Sequence, residues 1–161
     1  MSVQPIIEKL QLLPHPEGGY YKETYRAATS ITTEQGAARN VSTAIYYLLE
    51  GADKSHLHRI QSDELWFFHQ GQALEIVLVE QGQLVTIELG NDLAQGQLPQ
   101  AVIPAQTWFG ARVKGETGFA LVSCTVAPGF DFRDFELAER DALTQEFPQL
   151  QAIIEQFTRN N

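Results

Sequence analysis

The sequence predicts an all-β fold in which antiparallel strands form a barrel or sandwich, with short helices at both ends of the chain. Runs of alternating apolar and polar residues recur through the middle of the chain, as in residues 83–89, and a period of two is typical of half-buried strands. Glycine-containing turns such as Gln81-Gly82 separate these runs, as in hairpins. No helix-length segment lies between the strands, so a parallel βαβ sheet is excluded.

The 161 residues are expected to form one domain over residues 1–161, because a chain of this length can bury a hydrophobic core. We predict the barrel over about residues 20–132 and the terminal helices over about residues 3–13 and 141–157. Pro5 and Pro148 lie near predicted helix starts, where proline is tolerated.

Ahead of the barrel, the segment 15–21 (His-Pro-Glu-Gly-Gly-Tyr-Tyr) predicts a tight turn, because glycine adopts backbone conformations that other residues resist. Residues 27–40 contain few large apolar side chains and are predicted to form a mobile loop. Further strands are predicted over residues 20–26, 42–49, 65–69, 73–79, 83–89, 100–103, 108–113 and 119–126.

Composition narrows the range of partners. The chain has 11 basic and 20 acidic residues and a formal net charge of -9, which repels phosphate backbones, so no nucleic-acid partner is expected. No apolar run has the length of a membrane span, and no membrane partner is expected. The start of the sequence lacks a basic region followed by an apolar block, so we expect a cytoplasmic location. The single cysteine, Cys124, lies in an apolar run and is predicted to be a buried thiol.

The residues best suited to chemistry lie between positions 51 and 71. His56 and His58 are two apart in a predicted strand, so their side chains leave the same face. Glu64 follows after a short polar break that predicts a turn, which would bring His58 and Glu64 to the same side of adjacent strands. Imidazole and carboxylate groups suit either a divalent metal or acid–base chemistry without a metal. A solvated strand face would explain the two histidines equally well.

The pattern Gly51…His56-x-His58…Glu64…Gly71 resembles the first motif of the cupin superfamily. That motif places five residues before the His-x-His pair, three or four between it and the glutamate, and six before the last glycine. Here the gaps are four, five and six residues, so only the last matches.

The second cupin motif has a counterpart in the segment 104–109 (Pro-Ala-Gln-Thr-Trp-Phe). Gln106 stands where the motif has glycine, and Phe109 stands where it has the fourth metal ligand. Longer elements resemble the cupin subfamily of unknown function over the chain as far as about Phe135. These elements are His15-Pro-Glu-Gly-Gly-Tyr, Ser42-Thr-Ala-Ile-Tyr-Tyr-Leu-Leu, His58-Arg…Asp63-Glu-Leu-Trp66, Pro104-Ala-x-Thr-Trp108 and Pro128-Gly-Phe-Asp-Phe132.

This resemblance implies a jelly-roll barrel, or double-stranded β-helix, that often forms a homodimer and holds a small-molecule ligand in its cavity. The apolar strand 42–49 is the expected edge or sheet contact of the dimer. The expected cofactor is none or a weakly bound divalent metal. The metal would be held by His56, His58 and Glu64, while the alternative is a cavity for an organic molecule, in which Phe109 replaces a ligand.

Aromatic residues near both motifs are candidates for ligand binding, and simple core packing is the alternative for each. Trp66 and Phe68 continue the face of Glu64, while Trp108 and Phe109 belong to the second motif. Asp131 lies near the predicted barrel mouth, either as a solvated carboxylate or as a group that orients a histidine. In the turn ahead of the barrel, His15 and Glu17 are expected to be structural.

Three functions fit these observations. The first is an isomerase or epimerase of sugars or sugar nucleotides, with His58 and Glu64 as catalytic groups that remove and return a proton beside a carbonyl. The second is a barrel that binds or senses a small molecule without catalysis. The third is a metal-dependent oxygenase or isomerase that uses His56, His58 and Glu64. For the first, no one of the five tyrosines is singled out as an opposing acid.

Overall fold

A computed structural model describes residues 2–159 of the chain. Within this range the chain forms thirteen strands, and every pairing between them is antiparallel. The strands are β1 (Leu13–Pro14), β2 (Tyr20–Arg26), β3 (Ser30–Thr32), β4 (Ala38–Asn40), β5 (Thr43–Glu50), β6 (Lys54–Arg59), β7 (Asp63–Gly71), β8 (Leu74–Glu80), β9 (Gln83–Leu89), β10 (Gln100–Ile103), β11 (Phe109–Val113), β12 (Phe119–Ala127) and β13 (Glu136–Leu137).

Two sheets make up the barrel. One has six strands in the order β1-β2-β5-β12-β7-β10, and the other has five in the order β13-β6-β11-β8-β9. The predicted all-β, antiparallel jelly roll is confirmed. The hairpin predicted at Gln81-Gly82 joins β8 to β9, and both turn residues have positive φ, at 51° and 74°, as a two-residue hairpin turn requires.

The main core lies between the two sheets, and alternation along each strand separates it from the outer faces. On β8, Ile76 and Leu78 belong to the inner core, while Val77 and Val79 belong to a second cluster beneath the C-terminal helices. The inner core also includes Leu49, Leu74, Leu89, Ile103, Ala111, Val113, Val122 and Cys124.

Helices cover the outside of both sheets. Helix α1 (Gln4–Leu10) packs against the six-stranded sheet, and helices α2 (Arg140–Glu146) and α3 (Gln151–Gln156) pack against the five-stranded sheet. The first helix is shorter than predicted because Gln11 adopts a left-handed conformation with φ of 57°, after which the chain pairs as β1. No helix within residues 2–159 has both the length and the apolar character needed to cross a membrane.

Between residues 27 and 50, two features differ from the sequence predictions. Residues 27–40 contain the hairpin β3–β4 instead of an unstructured loop, and Gly36, with φ of 83°, lies in its turn. Strand β5 lies inside its sheet, between β2 and β12, and is not an edge. This strand therefore cannot pair edge to edge with a second copy of the chain, so that form of the predicted dimer contact is wrong. The homodimer itself stays a prediction.

The connection between β6 and β7 crosses from the five-stranded sheet to the six-stranded sheet. The predicted turn therefore does not make these strands neighbours, and they contribute side chains from opposite sides of the barrel interior. The sequence also predicts a hairpin turn at Gln70-Gly71 between β7 and β8, but these strands lie in different sheets. Gly71 ends β7 with φ of 99°, and a Cβ atom there would lie 2.1 Å from the carbonyl oxygen of Phe119, so only glycine fits this crossing.

Candidate functional site

A cavity of about 400 Å³ opens into one end of the barrel. Its size is in the range of small-molecule sites. Residues from both sheets line it, including His58 from β6 and Glu64 and Trp66 from β7. His15 and Glu17, from the turn between β1 and β2, complete its polar part.

The turn before β2 carries Glu17 into the barrel, where the residue is only 5% exposed. Its carbonyl oxygen accepts hydrogen bonds from both the amide and the ring Nδ1 of His56, at 2.7 and 2.6 Å. The Tyr47 hydroxyl donates to the carbonyl oxygen of Gly18. A Cβ atom on Gly18, which has φ of 112°, would lie 2.0 Å from the carbonyl oxygen of Lys54. The paired glycines thus allow the close approach that buries the carboxylate.

Both ring nitrogens of His58 are already used by the protein. Nδ1 lies 2.7 Å from the carbonyl oxygen of His56, which can only accept, so this nitrogen carries a proton. Nε2 lies 2.7 Å from Oε2 of Glu17, and both side chains are buried. When the ring is charged, it donates from both nitrogens, and the two residues form an imidazolium–carboxylate pair.

Electrostatics favours this charged pair. Burial lowers the pKa of His58, but the charge of Glu17 and its hydrogen bond outweigh burial, so the pKa is raised above its ordinary value. Burial likewise raises the pKa of Glu17, but the charge and hydrogen bond of His58 outweigh it, and the pKa is lowered. The shared proton therefore resides on His58.

Glu64 occupies a different environment, although it is also buried. Its Oε1 accepts a hydrogen bond of 2.7 Å from the indole Nε1 of Trp66, and the carboxylate has no hydrogen bond to His58. Burial and the negative charge of Glu17 raise its pKa to about 7, against the charge of His58 and the indole hydrogen bond. Glu64 thus changes charge near neutral pH, and one of its oxygens has no hydrogen-bond partner within residues 2–159.

His15 contributes a neutral ring. Its Nδ1 accepts the amide N–H of Glu17 at 3.1 Å. Burial lowers its pKa, an effect opposed by Glu17 and reinforced by His58. With Nδ1 as the acceptor, the proton of the neutral ring lies on Nε2, which is left as a donor.

Aromatic rings form much of the remaining wall. Besides Trp66, the cavity is lined by Tyr21, Phe130, Phe132 and Phe135. Of the five tyrosines in the chain, only Tyr21 lines the cavity. The others lie elsewhere. The hydroxyl of Tyr47 is hydrogen-bonded to Gly18, Tyr20 and Tyr46 pack toward α1, and Tyr25 is exposed.

The structure brings together some of the residues singled out in the sequence and separates others. His58, Glu64, Trp66 and Asp131 line one cavity, and their roles in binding or catalysis stay predictions. Asp131 is hydrogen-bonded to the side chain and amide of Arg133, and these bonds hold its pKa well below the usual range. It makes no hydrogen bond to a histidine within the described chain.

Three aromatic candidates lie outside the cavity wall, contrary to the prediction. Trp108 lies in the cluster beneath the C-terminal helices, with the Arg59 guanidinium 4.3 Å from its ring centroid. Phe109 follows it on the opposite face, fully buried behind His58, with ring centroids 4.2 Å apart. Adjacent residues of an extended chain face opposite sides, so Trp108 and Phe109 lie in different clusters. Phe68 packs against the barrel core and is not part of the wall.

The residues do not fit the predicted three-ligand metal site. Both ring nitrogens of His58 are engaged, and Nδ1 of His56 is held by the Glu17 carbonyl oxygen. The apolar ring of Phe109 offers no ligand atom. Within residues 2–159, no group of three or more His, Cys, Asp or Glu side chains is arranged to hold an ion. The expectation of no cofactor, or of a weakly bound divalent metal, stays a prediction.

The fold and the site define a jelly-roll barrel with a buried histidine–carboxylate cavity. The chain belongs to the family described as the cupin superfamily (DUF985), which its residues 4–138 match. It is similar to the uncharacterized protein YML079W of Saccharomyces cerevisiae, at 31% identity over 83% of this chain and 73% of that protein.

Among solved structures, the chain is similar to protein SO0799 from Shewanella oneidensis, with 39% identity, a TM-score of 0.92, and coverage of 100% of this chain and 99% of that one. A hypothetical protein from Leishmania major gives 35% identity and a TM-score of 0.92, over 99% and 100% of the two chains. Oxalate decarboxylase from Bacillus subtilis shares the fold alone, at 12% identity and a TM-score of 0.57, and the match spans 92% of this chain and 37% of that enzyme.

Sequence reasoning missed Glu17 as the partner of His58. Its signal was a glutamate between a proline and two glycines, a turn in which a charged residue is normally solvated. Nothing in that pattern shows that the turn folds inward. The structural role of His56 was also missed. Its ring is hydrogen-bonded to the backbone carbonyl oxygen of Glu17, so its effect on the site runs through the backbone.

Proposed function

We propose that this protein is an enzyme that binds a small hydroxycarbonyl compound in its cavity and transfers a proton at the carbon beside the carbonyl, as sugar isomerases and epimerases do. The observation that carries the proposal is Glu64, a buried carboxyl group that faces the cavity and changes charge near neutral pH. A general base works best when its pKa lies near the working pH.

In this proposal Glu64 takes the role that the sequence suggested for His58. A base needs a free lone pair, and His58 has none while it donates from both nitrogens. Glu64 has one oxygen held by Trp66 and the other without a partner. The Glu64 carboxylate removes the proton, the electron pair of the C–H bond forms the C=C bond of an enediol, and the carbonyl oxygen gains a proton from the acid. Glu64 then returns its proton to the former carbonyl carbon while the neighbouring hydroxyl gives its proton back to the acid, which leaves the isomeric carbonyl compound. No oxidant or reductant is consumed.

The His58–Glu17 pair acts as a positioning element. Its charges set the field at Glu64, since Glu17 raises the pKa of that carboxyl group and His58 lowers it. Tyr21 is the proposed acid that stabilises or protonates the carbonyl oxygen, because it is the cavity's one tyrosine.

A second candidate is a binding barrel without catalysis. The observation in its favour is that His58 and Glu17 satisfy each other, as charged pairs in purely structural roles do. In that case Glu64 and the aromatic wall would serve ligand binding alone.

Deuterium exchange tests the proposal. The protein is incubated in D₂O at pH 7 with dihydroxyacetone, glyceraldehyde and common aldoses and ketoses, and NMR follows loss of the proton beside the carbonyl. We expect exchange with at least one compound, and a loss of at least 100-fold in Glu64→Gln, the scale of general-base catalysis.

Glu88→Gln is the matched control, because Glu88 pairs with Lys114 outside the cavity. Exchange in Glu88→Gln equal to the unmodified protein, together with loss in Glu64→Gln, supports the proposal. Binding of these compounds without any exchange would instead establish the non-catalytic barrel.

A further inference from the structure

Arg26 is the one arginine among the described residues that line the cavity, and its charge is neutralised within the protein. Arg26 donates from Nε and Nη2 to the two carboxylate oxygens of Glu23, at 3.2 and 2.6 Å. Its remaining bonds go to Asn40 Oδ1 at 2.7 Å and to the carbonyl oxygen of Phe130 at 3.0 Å. This two-point pairing matches the geometry by which arginine binds carboxylates and phosphates, so Glu23 occupies the place that an anionic ligand would need.

The other basic groups of the cavity offer no free positive charge to an anion. His58 is held by Glu17 at 2.7 Å. Nδ1 of His15 accepts a hydrogen bond from the amide N–H of Glu17, so the ring is neutral in that arrangement and presents only an uncharged Nε2–H donor. Among the described residues that line the cavity, every positively charged side chain thus already has a carboxylate partner.

The remaining charge in the wall is negative. Four carboxyl groups line the cavity, and three of them already pair with a cation: Glu17 with His58, Glu23 with Arg26 and Asp131 with Arg133. Glu64 has no cationic hydrogen-bond partner, and the whole chain carries a net charge of -9. A phosphate or diphosphate that entered would meet this field without a free cation to offset it.

We infer that the cavity selects an uncharged hydroxycarbonyl compound, such as a free sugar, and that the Glu23–Arg26 pair excludes its phosphorylated and nucleotide-linked analogues. This inference rests on the proposed function for its reaction, but not for its charge selectivity. It narrows the substrate class, because sugars and sugar nucleotides fit the sequence equally well. The aromatic wall supplies apolar surface for the C–H face of such a ring, with the polar groups at one side.

Inorganic phosphate is the probe for charge selectivity. It is titrated into the ¹⁵N-labelled protein at pH 7 and low ionic strength, and amide shifts around the cavity are followed by NMR. We expect little change in the unmodified protein and at least tenfold tighter binding in Glu23→Gln, which removes the carboxylate partner of Arg26 and one negative charge. The Glu23 side chain is 40% exposed, so this variant is expected to fold.

Glu88→Gln is again the matched control, since it frees Lys114 outside the cavity and should leave the cavity resonances unmoved. Equal phosphate binding at the cavity in the unmodified protein and in Glu23→Gln would overturn the inference. Failure of the variant to gain phosphate binding would overturn it as well.

Matched pairs of substrates complete the test. Dihydroxyacetone and its phosphate, and glucose and glucose 6-phosphate, are compared by saturation-transfer NMR for binding and by deuterium exchange for turnover. We expect the uncharged member of a pair to bind at least tenfold tighter. Preferential binding of the phosphorylated members would overturn the inference, whereas binding of uncharged members without exchange would overturn only the proposed reaction.

Discussion

The cavity contains two buried glutamates whose surroundings give them opposite properties. Glu17 faces the imidazole of His58, and its pKa is lowered; Glu64 faces the indole N–H of Trp66, and its pKa is raised to about 7. The two pKa values differ because the partners differ. The charged imidazole of His58 outweighs the cost of burying an ionised carboxylate, whereas the uncharged indole N–H of Trp66 does not. One carboxylate therefore serves the structure, and the other is available for proton transfer at neutral pH.

The largest effect on stability should come from removing one partner of the Glu17–His58 ion pair. We expect His58→Ala to lower the free energy of unfolding by about 3–5 kcal/mol, because it leaves the buried Glu17 carboxylate without a partner. Chemical denaturation at pH 7 measures the change. The double variant Glu17→Ala/His58→Ala should lose less than the two single variants together, since no unpaired charge remains. A loss below about 1 kcal/mol in His58→Ala would contradict the buried ion pair.

The next effect concerns the dependence of stability on pH. A raised pKa means that the fold favours protonated Glu64, so its contribution is fully present below pH 4.5 and is lost as the pH rises to about 7. The difference between these two pKa values corresponds to about 3 kcal/mol. Glu64→Gln cannot ionise and should show a flatter stability curve over this interval in denaturation series. Parallel curves for the two proteins would show that Glu64 keeps an ordinary pKa.

Glu17 and His58 predict how the stability changes at the two ends of the pH range. Stability from Glu17 is lost as the pH falls through its lowered pKa, below 4.5. Stability from His58 is lost as the pH rises through its raised pKa, above 6.5. The Glu17–His58 pair therefore contributes most between these limits. Because the contribution of Glu64 is lost from pH 4.5 to about 7, the unmodified protein should be most stable near the lower limit. Glu17→Gln should show a weaker loss at acid pH.

A smaller effect on stability should follow from removing the indole N–H of Trp66, which donates to Glu64. Trp66→Phe keeps an aromatic ring but removes the indole N–H, at a cost of about 1 kcal/mol for the lost hydrogen bond. Because this bond lowers the pKa of Glu64, the pH at which the carboxyl group ionises should rise. The pH profile of deuterium exchange records the shift. An unchanged profile would mean that the indole does not influence the carboxylate.

The smallest effect on stability is expected for Tyr21→Phe. The Tyr21 hydroxyl has no hydrogen-bond partner within residues 2–159, so its removal should change the free energy of unfolding by less than about 0.5 kcal/mol. Turnover should nevertheless fall if Tyr21 is the acid. Unchanged exchange rates would remove Tyr21 from the proposed mechanism while leaving Glu64 in place.

The sequence was sufficient for the fold because strand periodicity and turn glycines are local signals. It also placed Glu64 and Trp66 on one face, since residues two apart in a strand share a side. It was not sufficient for the partner of His58, because Glu17 reaches it from a turn 41 positions earlier in the chain. Trp108 was misplaced for a simpler reason: it is adjacent to Phe109, and neighbouring residues of an extended chain face opposite sides, so the tryptophan packs on the outer side.

The most direct test of the account is the protonation state of the two groups, measured by NMR on the protein labelled with ¹⁵N-histidine and ¹³C-glutamate. We expect both ring nitrogens of His58 to be protonated at pH 7, while the Glu64 carboxyl carbon titrates with a pKa of about 7. Assignment uses His58→Ala and Glu64→Gln. A neutral His58 ring at pH 7, together with a Glu64 carboxyl group that titrates near 4.5, would contradict the account and return the proton-transferring role to His58.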